Sequence, residues 1–312
     1  MNSINPEEIK RLKGMGFLLN RGTNNFSMRV ITENGVLTAQ QLICLSEASK
    51  KFGNGKLAFT TRMTIELIGI PYEKAEEAQK YITREGLRSG GTGAKIRPVV
   101  ACKGTTCVFG KIDTQEMAKD IHKKFFEGWS DISLPHKFKI AVGGCPNNCT
   151  KPDLNDFGIV GTLRPCFNEA DCKGCKSCAV QKVCPINAVQ RDKNGKIHIN
   201  STLCTQCGRC VTACPFKLIP NGENGMKIYI GGRWGKNIRR GTLLEGFFTT
   251  KDEVYDMLTK TLLFFRDQGI KGERLGETLD RIGISVAAAL LYGNELLKRK
   301  DEILSAPLKE KE

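Results

Sequence analysis

Apolar and polar residues alternate with two periods along the N-terminal part of the chain. Residues 25–32 and 56–69 alternate at every second position, which predicts β-strands. A Thr-x-x-Gln capping box opens a helical pattern over residues 38–52, and a glycine closes a second helical pattern over residues 73–85. The order strand, helix, strand, helix predicts an α+β half-domain over residues 1–88.

The second of these strands is predicted to be continuous and to have one buried face. Its polar face carries Arg62, which we expect to point out of the core. Its apolar face is Leu57, Phe59, Met63, Ile65 and Leu67.

Two further predicted strands each lead into a pair of cysteines. Residues 95–101 precede a pair with four intervening residues, and residues 135–142 precede a pair with three. Alternation along the second of these strands places Lys137 and Lys139 on the same face. The two pairs are Cys102 with Cys107, and Cys145 with Cys149.

Eight more cysteines form the doubled run of a bacterial ferredoxin. In each run, three cysteines separated by two residues precede a Cys-Pro dipeptide, although the first run has five residues before Cys-Pro instead of three. The three spaced cysteines of such a run bind one 4Fe-4S cluster, and the Cys-Pro cysteine binds the other cluster. Zinc sites and disulfides are the alternatives, and two interleaved triplets closed by Cys-Pro disfavour both. The expected ligand sets are Cys172, Cys175, Cys178 and Cys214 for one cluster, and Cys204, Cys207, Cys210 and Cys184 for the other.

The doubled run lies between two predicted strands, so it is predicted to be an insertion in a surrounding module. Helices are expected near residues 251–267, 273–281 and 285–299. The predicted organisation after the half-domain is residues 89–163 for the first part of the module, 164–222 for the insert, 223–284 for the second part of the module, and 285–312 for a C-terminal helix and tail.

Composition limits the classes of function. The 312 residues are 40% hydrophobic, which suits two or three compact modules. The N-terminus has no signal-peptide pattern and no apolar run is long enough for a membrane span, so we expect a cytoplasmic protein. The formal charge of +15 comes without an arginine-rich tract or another nucleic-acid motif, so we expect no nucleic-acid partner.

Four segments together resemble the siroheme-dependent sulfite and nitrite reductase family. They are residues 59–66 (FTTRMTIE), 97–102 (RPVVAC), 134–139 (LPHKFK) and 144–149 (GCPNNC). With a single family repeat and an inserted ferredoxin, the chain is most similar to the catalytic subunits of anaerobic, dissimilatory-type sulfite reductases. The resemblance implies an α+β fold: a ferredoxin-like half-domain, a siroheme and 4Fe-4S domain, and an inserted two-cluster ferredoxin.

The resemblance also assigns the first cysteine block. It implies that Cys102, Cys107, Cys145 and Cys149 bind a third 4Fe-4S cluster and that Cys149 bridges this cluster to the siroheme iron. The family usually has five residues between the first two cysteines, whereas this chain has four. Three clusters and the siroheme carboxylates would cancel most of the positive charge, so the excess of basic residues is interpreted as internal counter-charge.

The same resemblance implies that basic residues surround the substrate. Cations are expected to bind the anion, and lysines with depressed pKa values are expected to supply protons. By resemblance, the substrate-side residues are Arg62, Arg97, Lys137 and Lys139, while Arg29 and Arg233 are expected to pair with siroheme carboxylates.

The expected function is the six-electron reduction of sulfite to sulfide. The alternatives are ammonia-forming nitrite reduction on the same scaffold and a non-catalytic iron–sulfur electron carrier. The chain has no nicotinamide or flavin motif, so electrons must come from partners, which the resemblance identifies as an iron–sulfur subunit and a flavin subunit oxidising a nicotinamide. Because this chain has one repeat where assimilatory relatives have two, we also expect a dimer of repeats in which the cations of one chain face the siroheme held by its neighbour.

Overall fold

The computed structural model describes residues 4–311, and its N-terminal part is an antiparallel sheet packed against helices. The strand order is β1–β2–β4–β3, and β5 pairs with β2. The elements are α1 (Pro6–Gly14), β1 (Phe17–Leu19), β2 (Asn25–Ile31), α2 (Ala39–Phe52), β3 (Leu57–Phe59), β4 (Ile65–Pro71), α3 (Ala75–Ile82) and β5 (Arg88–Ser89).

The predicted helix caps are present. Thr38 and Gln41 exchange both hydrogen bonds of a capping box at the start of α2. The buried side chains of this helix include Leu45, Ala48 and Phe52, which join the apolar core of the half-domain. These local signals therefore determine where α2 begins and which face it buries.

The single strand predicted over residues 56–69 is wrong, because this segment is a hairpin. β3 pairs antiparallel with β4, and the Thr60 amide donates to the Thr64 carbonyl across the turn at 2.8 Å. Met63 takes a left-handed conformation with φ of 58°. As a result Phe59, which was predicted to be buried, is 79% exposed, and the turn carries Arg62 out of the sheet.

The rest of the chain is built on a second sheet of order β12–β11–β8–β7–β6. β6, β7 and β8 are parallel, and β8, β11 and β12 are antiparallel. The elements are β6 (Val100–Ala101), α4 (Thr114–Ile121), β7 (Ile140–Gly143), β8 (Phe157–Cys166), α5 (Ala179–Lys182), β9 (Val189–Arg191), β10 (Ile197–Ile199), β11 (Asn221–Ile230), β12 (Thr242–Leu243), α6 (Lys251–Gln268), α7 (Leu275–Ile282), α8 (Ile284–Tyr292), α9 (Glu295–Lys298) and α10 (Lys300–Ser305).

The C-terminal helices cover this sheet and complete its core. α6 begins at a Thr250 capping box and buries side chains such as Leu258, Leu262 and Phe265 in the same cluster as the strands. The helix predicted over 285–299 is interrupted at Gly293, so α8 and α9 are separate helices. No helix within residues 4–311 is both long and apolar enough to cross a bilayer.

The ferredoxin-like segment is an insertion at the end of a β-hairpin. β8 and β11 pair without a register break from Phe157 with Ile230 to Cys166 with Asn221. The intervening residues form the small hairpin of β9 and β10 and a separate apolar cluster that includes Val180, Val189 and Ile219. The insert thus leaves and returns at neighbouring positions without disturbing the sheet.

Candidate functional site

Basic side chains gather where the chain enters β6 and β7. The segments before these strands run side by side, because the Arg97 amide donates to the Phe138 carbonyl at 2.8 Å and the Phe138 amide donates to the Lys95 carbonyl at 3.0 Å. Lys137 and Lys139 therefore lie next to Arg97. The predicted strands were longer than the observed ones, and all three cations lie just before regular strand structure begins.

Arg62 joins this group from the half-domain. Its guanidinium donates to the Pro98 carbonyl at 2.7 and 2.9 Å, to the Ile140 carbonyl at 2.8 Å and to Asn155 Oδ1 at 3.1 Å. Burial lowers the pKa of Arg62 to about 10, even though Asp156 opposes the change. Arg62 therefore ties the β3–β4 turn to the second sheet and adds a positive charge beside Lys139.

The sequence analysis missed a buried ion pair at the centre of this group. Asp156 is fully buried, and its Oδ2 accepts from Arg274 Nη2 at 2.6 Å and from the Lys139 amide at 2.8 Å. Burial raises the pKa of Asp156, and Arg274 opposes that rise. The two residues are 118 positions apart, so no local motif could have indicated the pair. Five cations, Arg62, Arg97, Lys137, Lys139 and Arg274, thus influence one another around a single carboxylate.

Several donors of this cationic group have no acceptor within the described residues. Neither lysine ammonium, of Lys137 or of Lys139, makes a hydrogen bond or an ion pair, and Arg97 Nε is buried without a partner. Burial, followed by the charge of Arg62, lowers the pKa of Lys139 to about 8. Burial and the charge of Lys137 lower the pKa of His136 to about 4, so this imidazole is neutral at pH 7. The group is therefore suited to binding an anion and contains a lysine that can release a proton near neutral pH.

Four cysteines lie beyond the other ends of the same strands. Cys102 directly follows β6, and its Sγ accepts from the Gly144 amide at 3.2 Å, which brings it to the loop after β7. Burial raises the pKa of Cys145, and the nearby thiols of Cys102, Cys107 and Cys149 add to that rise. Cys149 is exposed. The four side chains predicted for the third cluster are thus brought into one neighbourhood.

The insert contains two small cavities whose cysteine linings match the predicted ligand sets. Each cavity takes three cysteines from one run and the Cys-Pro cysteine from the other. No three Cys, His, Asp or Glu side chains among residues 4–311 converge tightly enough to hold a single metal ion, and a four-iron cluster is larger than such an ion. The first cavity is lined by Cys172, Cys175, Cys178 and Cys214, and the second cavity by Cys184, Cys204, Cys207 and Cys210.

The second cavity lies beside the first cysteine block. Cys207 and Cys145 line a common depression, together with Phe109 and Arg209. The Leu163 amide of β8 donates to the Gln206 carbonyl at 2.8 Å, which fixes the cysteine loop against the sheet. None of the cysteines of the first cavity lines this depression.

Two predicted siroheme partners already have carboxylate partners in this chain. Arg29 Nη2 lies 2.6 Å from Glu66 Oε1, and Arg233 Nη1 lies 2.5 Å from Glu277 Oε1. Arg29 still contributes to lowering the pKa of Arg97, so it borders the cationic group. Their pairing with siroheme stays a prediction, which would require them to share or exchange these partners.

The largest cavity of the described residues, about 540 Å³, lies elsewhere. It is bounded by the half-domain and by residues around Trp129, and its lining contains no cysteine and none of Arg62, Arg97, Lys137 and Lys139. His122, which also lines it, is buried against Phe126. This cavity does not offer the thiolates or cations that the predicted cofactors need.

Comparisons with known proteins agree with the fold and the cysteine pattern. Residues 20–84 match the nitrite/sulfite reductase ferredoxin-like half domain, and residues 92–300 match the nitrite and sulphite reductase 4Fe-4S domain. Coenzyme F420-dependent sulfite reductase of Methanocaldococcus jannaschii is 34% identical over 234 residues, which cover 74% of this chain and 36% of that protein. One of the anaerobic sulfite reductase subunits of Salmonella typhimurium is 28% identical over 193 residues, which cover 56% of this chain and 54% of that protein.

Solved structures support the same fold. Dissimilatory sulfite reductase I superimposes with a TM-score of 0.68 at 23% identity, over 90% of this chain and 71% of that one. The chain spans about a third and about half of the lengths of the two relatives above. Since the 4Fe-4S domain family alone matches more than half of the chain, the chain belongs to the siroheme-dependent nitrite and sulfite reductase family.

Proposed function

We propose that this chain is the catalytic subunit of an anaerobic-type sulfite reductase, which reduces sulfite to sulfide with six electrons and releases three oxygens as water. The observation that carries the proposal is the cationic group, whose lysine ammoniums lack acceptors, on a sheet whose opposite edge carries four cysteines. The relatives named as sulfite reductases support the choice of substrate.

The cysteines suit three 4Fe-4S clusters. The two cavities of the insert would each hold one cluster on the four cysteines that line it. Cys102, Cys107, Cys145 and Cys149 would hold the third. Because Cys149 is the exposed member of that set, its sulfur is available for a bridge to siroheme iron.

The unpaired donors fit siroheme, which has several peripheral carboxylates, and they also fit an anionic substrate. When bound, siroheme supplies an iron centre that coordinates the substrate and passes electrons to it. Lys137 and Lys139 would bind the substrate oxygens through their ammonium groups. Lys139, with its pKa near 8, would deliver a proton to an oxygen that departs as water, while Arg62 and Arg97 keep the site positive throughout.

The path for electrons follows from the position of the insert. Cys207 and Cys145 share a depression, so a cluster in the second cavity would lie beside the third cluster. We propose that electrons enter the insert from an iron–sulfur or flavin partner and reach the third cluster through the second cavity. The contact between Leu163 and the loop of Gln206 would hold this arrangement rigid.

The strand geometry supports a site that is shared by two chains. Lys139 precedes β7 and Cys145 follows it, and Arg97 and Cys102 stand in the same relation to β6. At about 3.3 Å per residue, extended strands separate the members of these pairs by roughly 16–20 Å. We propose a dimer of repeats, in which the cations of one chain act at the siroheme whose cluster is held by its neighbour.

Mixing two inactive variants tests the shared site. One chain carries Lys137→Ala with Lys139→Ala, the other carries Cys149→Ser, and both are co-expressed. Random pairing would give mixed dimers with one intact site, and we expect about a quarter of the wild-type sulfite turnover. If each chain builds its whole site alone, the mixture has no activity and the shared site is refuted.

The overall proposal is tested on protein purified without oxygen. We expect a siroheme absorption band, about thirteen irons per chain from three cubanes and one haem, and release of sulfide when reductant and sulfite are added. About eight irons and no siroheme band would indicate a two-cluster electron carrier. Faster turnover of nitrite than of sulfite would assign the scaffold to ammonia formation instead.

A further inference from the structure

An exposed aromatic side chain stands beside the first cavity of the insert. Phe216 directly follows the Cys214-Pro215 dipeptide, lines this cavity, and is 62% exposed. Lys173 lines the same cavity, and Lys176 and Lys217 are adjacent in the chain to cavity residues. We name the surface formed by Phe216, Lys173, Lys176 and Lys217 the distal patch.

The lysines of the distal patch have no anionic partner in the chain. All three are exposed, and none makes an ion pair within the described residues. Asp171 also lines the cavity, but the charge of the whole insert is positive. Residues 164–222 contain nine lysines and arginines against three aspartates and glutamates, so two clusters of about −2 each leave the insert positive.

The distal patch lies at the outer end of the proposed electron path. The second cavity is the one that shares a depression with Cys145, and no residue of the first cavity lines that depression. A donor that reached the third cluster directly would have to pass the second cavity. The first cavity is thus the one left facing an incoming protein, and an apolar anchor ringed by cations is the usual form of a site for an acidic partner.

We propose that the distal patch docks an acidic electron-transfer protein of the ferredoxin class, whose carboxylates surround its own redox centre. Phe216 packs against the partner beside that centre, and the three lysines pair with the carboxylates. One electron then passes from the reduced partner, which is oxidised, to the cluster of the first cavity, which is reduced, without any proton transfer. This inference rests on the proposed electron-carrying role of the insert.

The test compares two reductants of the same holoprotein, purified without oxygen. A reduced acidic two-cluster bacterial ferredoxin is the protein probe, and dithionite is the small-molecule control. Cluster bleaching is followed by stopped-flow absorbance at low and high salt. The variants are Phe216→Ala and the double charge reversal Lys173→Glu with Lys217→Glu, and Lys173→Arg with Lys217→Arg serves as the conservative pair.

The insert offers matched control positions. Ile186 follows the other Cys-Pro dipeptide and is 39% exposed, and Lys193 is an exposed lysine without an ion pair in the described structure. Ile186→Ala and Lys193→Glu therefore remove an apolar side chain and reverse a charge in the same insert, away from the distal patch.

We expect the charge reversal to slow reduction by the ferredoxin at least tenfold at low salt, with a smaller effect at high salt, because electrostatic steering raises association rates by 10- to 1,000-fold. Phe216→Ala should slow it several-fold, and the arginine pair should keep the wild-type rate. Reduction by dithionite should be the same in all variants.

Equal ferredoxin rates in the charge-reversed and wild-type proteins would overturn the inference, as would equal slowing in the control variants. The readout is bleaching of the insert clusters, so it remains valid if the chain proves to lack siroheme. Absence of the insert clusters would refute the proposed function instead, and iron counting identifies that outcome separately.

Discussion

The buried pair of Asp156 and Arg274 allows a sharp test of what holds the cationic group together. Asp156 is fully buried and Arg274 nearly so, with 2.6 Å between Oδ2 and Nη2. Asp156→Asn keeps the volume and one acceptor but leaves a buried guanidinium without a counter-charge. Removing one member of a buried pair costs about 3–5 kcal/mol of unfolding free energy, because the remaining charge is desolvated and unpaired.

The chain contains an exposed pair for comparison. Arg239 Nη2 lies 2.8 Å from Asp280 Oδ1, and the Asp280 side chain is 61% exposed. Solvent screens this pair, so Asp280→Asn should cost less than about 1 kcal/mol. A double variant, Asp156→Leu with Arg274→Met, removes both buried charges and should recover most of the loss caused by Asp156→Asn.

The assay is equilibrium urea unfolding, followed by far-ultraviolet circular dichroism without oxygen, with the midpoints compared at matched cluster content. A loss below about 1 kcal/mol for Asp156→Asn would refute the reasoning, since it would mean that Arg274 finds another partner or water. A double variant as unstable as the single one would show that packing, and not the unpaired charge, dominates.

The other predictions concern a proton and a glycine. Because the pKa of Lys139 is lowered to about 8, this ammonium is lost as pH rises through that value, or somewhat above it once anions bind; sulfite turnover should fall there, and Lys139→Gln, unlike Lys137→Gln, should remove this alkaline limb from the pH profile of kcat/KM. An unfolded lysine binds its proton up to a higher pH, so for apoprotein the unfolding free energy should rise between pH 8 and about 10.5, and an unchanged slope in Lys139→Gln would contradict the assigned pKa. Gly208 and Gly22 share φ of 74°, but a Cβ at Gly208 would lie 2.6 Å from Leu163 whereas one at Gly22 would meet nothing. Gly22→Ala should therefore cost only the left-handed strain of about 1–2 kcal/mol, and Gly208→Ala should cost more and also slow electron transfer from the insert to the third cluster; equal effects would refute the role of that contact.

Some features were predictable because they depend on residues within one turn of one another. The capping box of α2 and the interrupted cysteine runs are of this kind, since local spacing decides which groups can reach each other. The cavities bring together the cysteines that their spacing grouped, although cluster binding itself stays a prediction. The family segments likewise indicated the cations, and these do gather before β6 and β7.

The failures come from contacts made between distant segments. Alternation over residues 56–69 is the same for one strand as for a hairpin, and only pairing of β3 with β4 decides between them. A lone lysine or arginine carries no local sign of its partner, so Asp156 with Arg274 was invisible in the sequence.

The sequence by itself therefore determined which cofactor chemistry the chain can support, because ligand type and local spacing depend on neighbouring residues. Only the tertiary structure decided how those groups stand to one another: cations and cysteines at opposite ends of β6 and β7, and Cys207 beside Cys145. The physical reason is that packing of strands and loops far apart in the chain sets these positions, and the free energy of that packing is spread over the whole core.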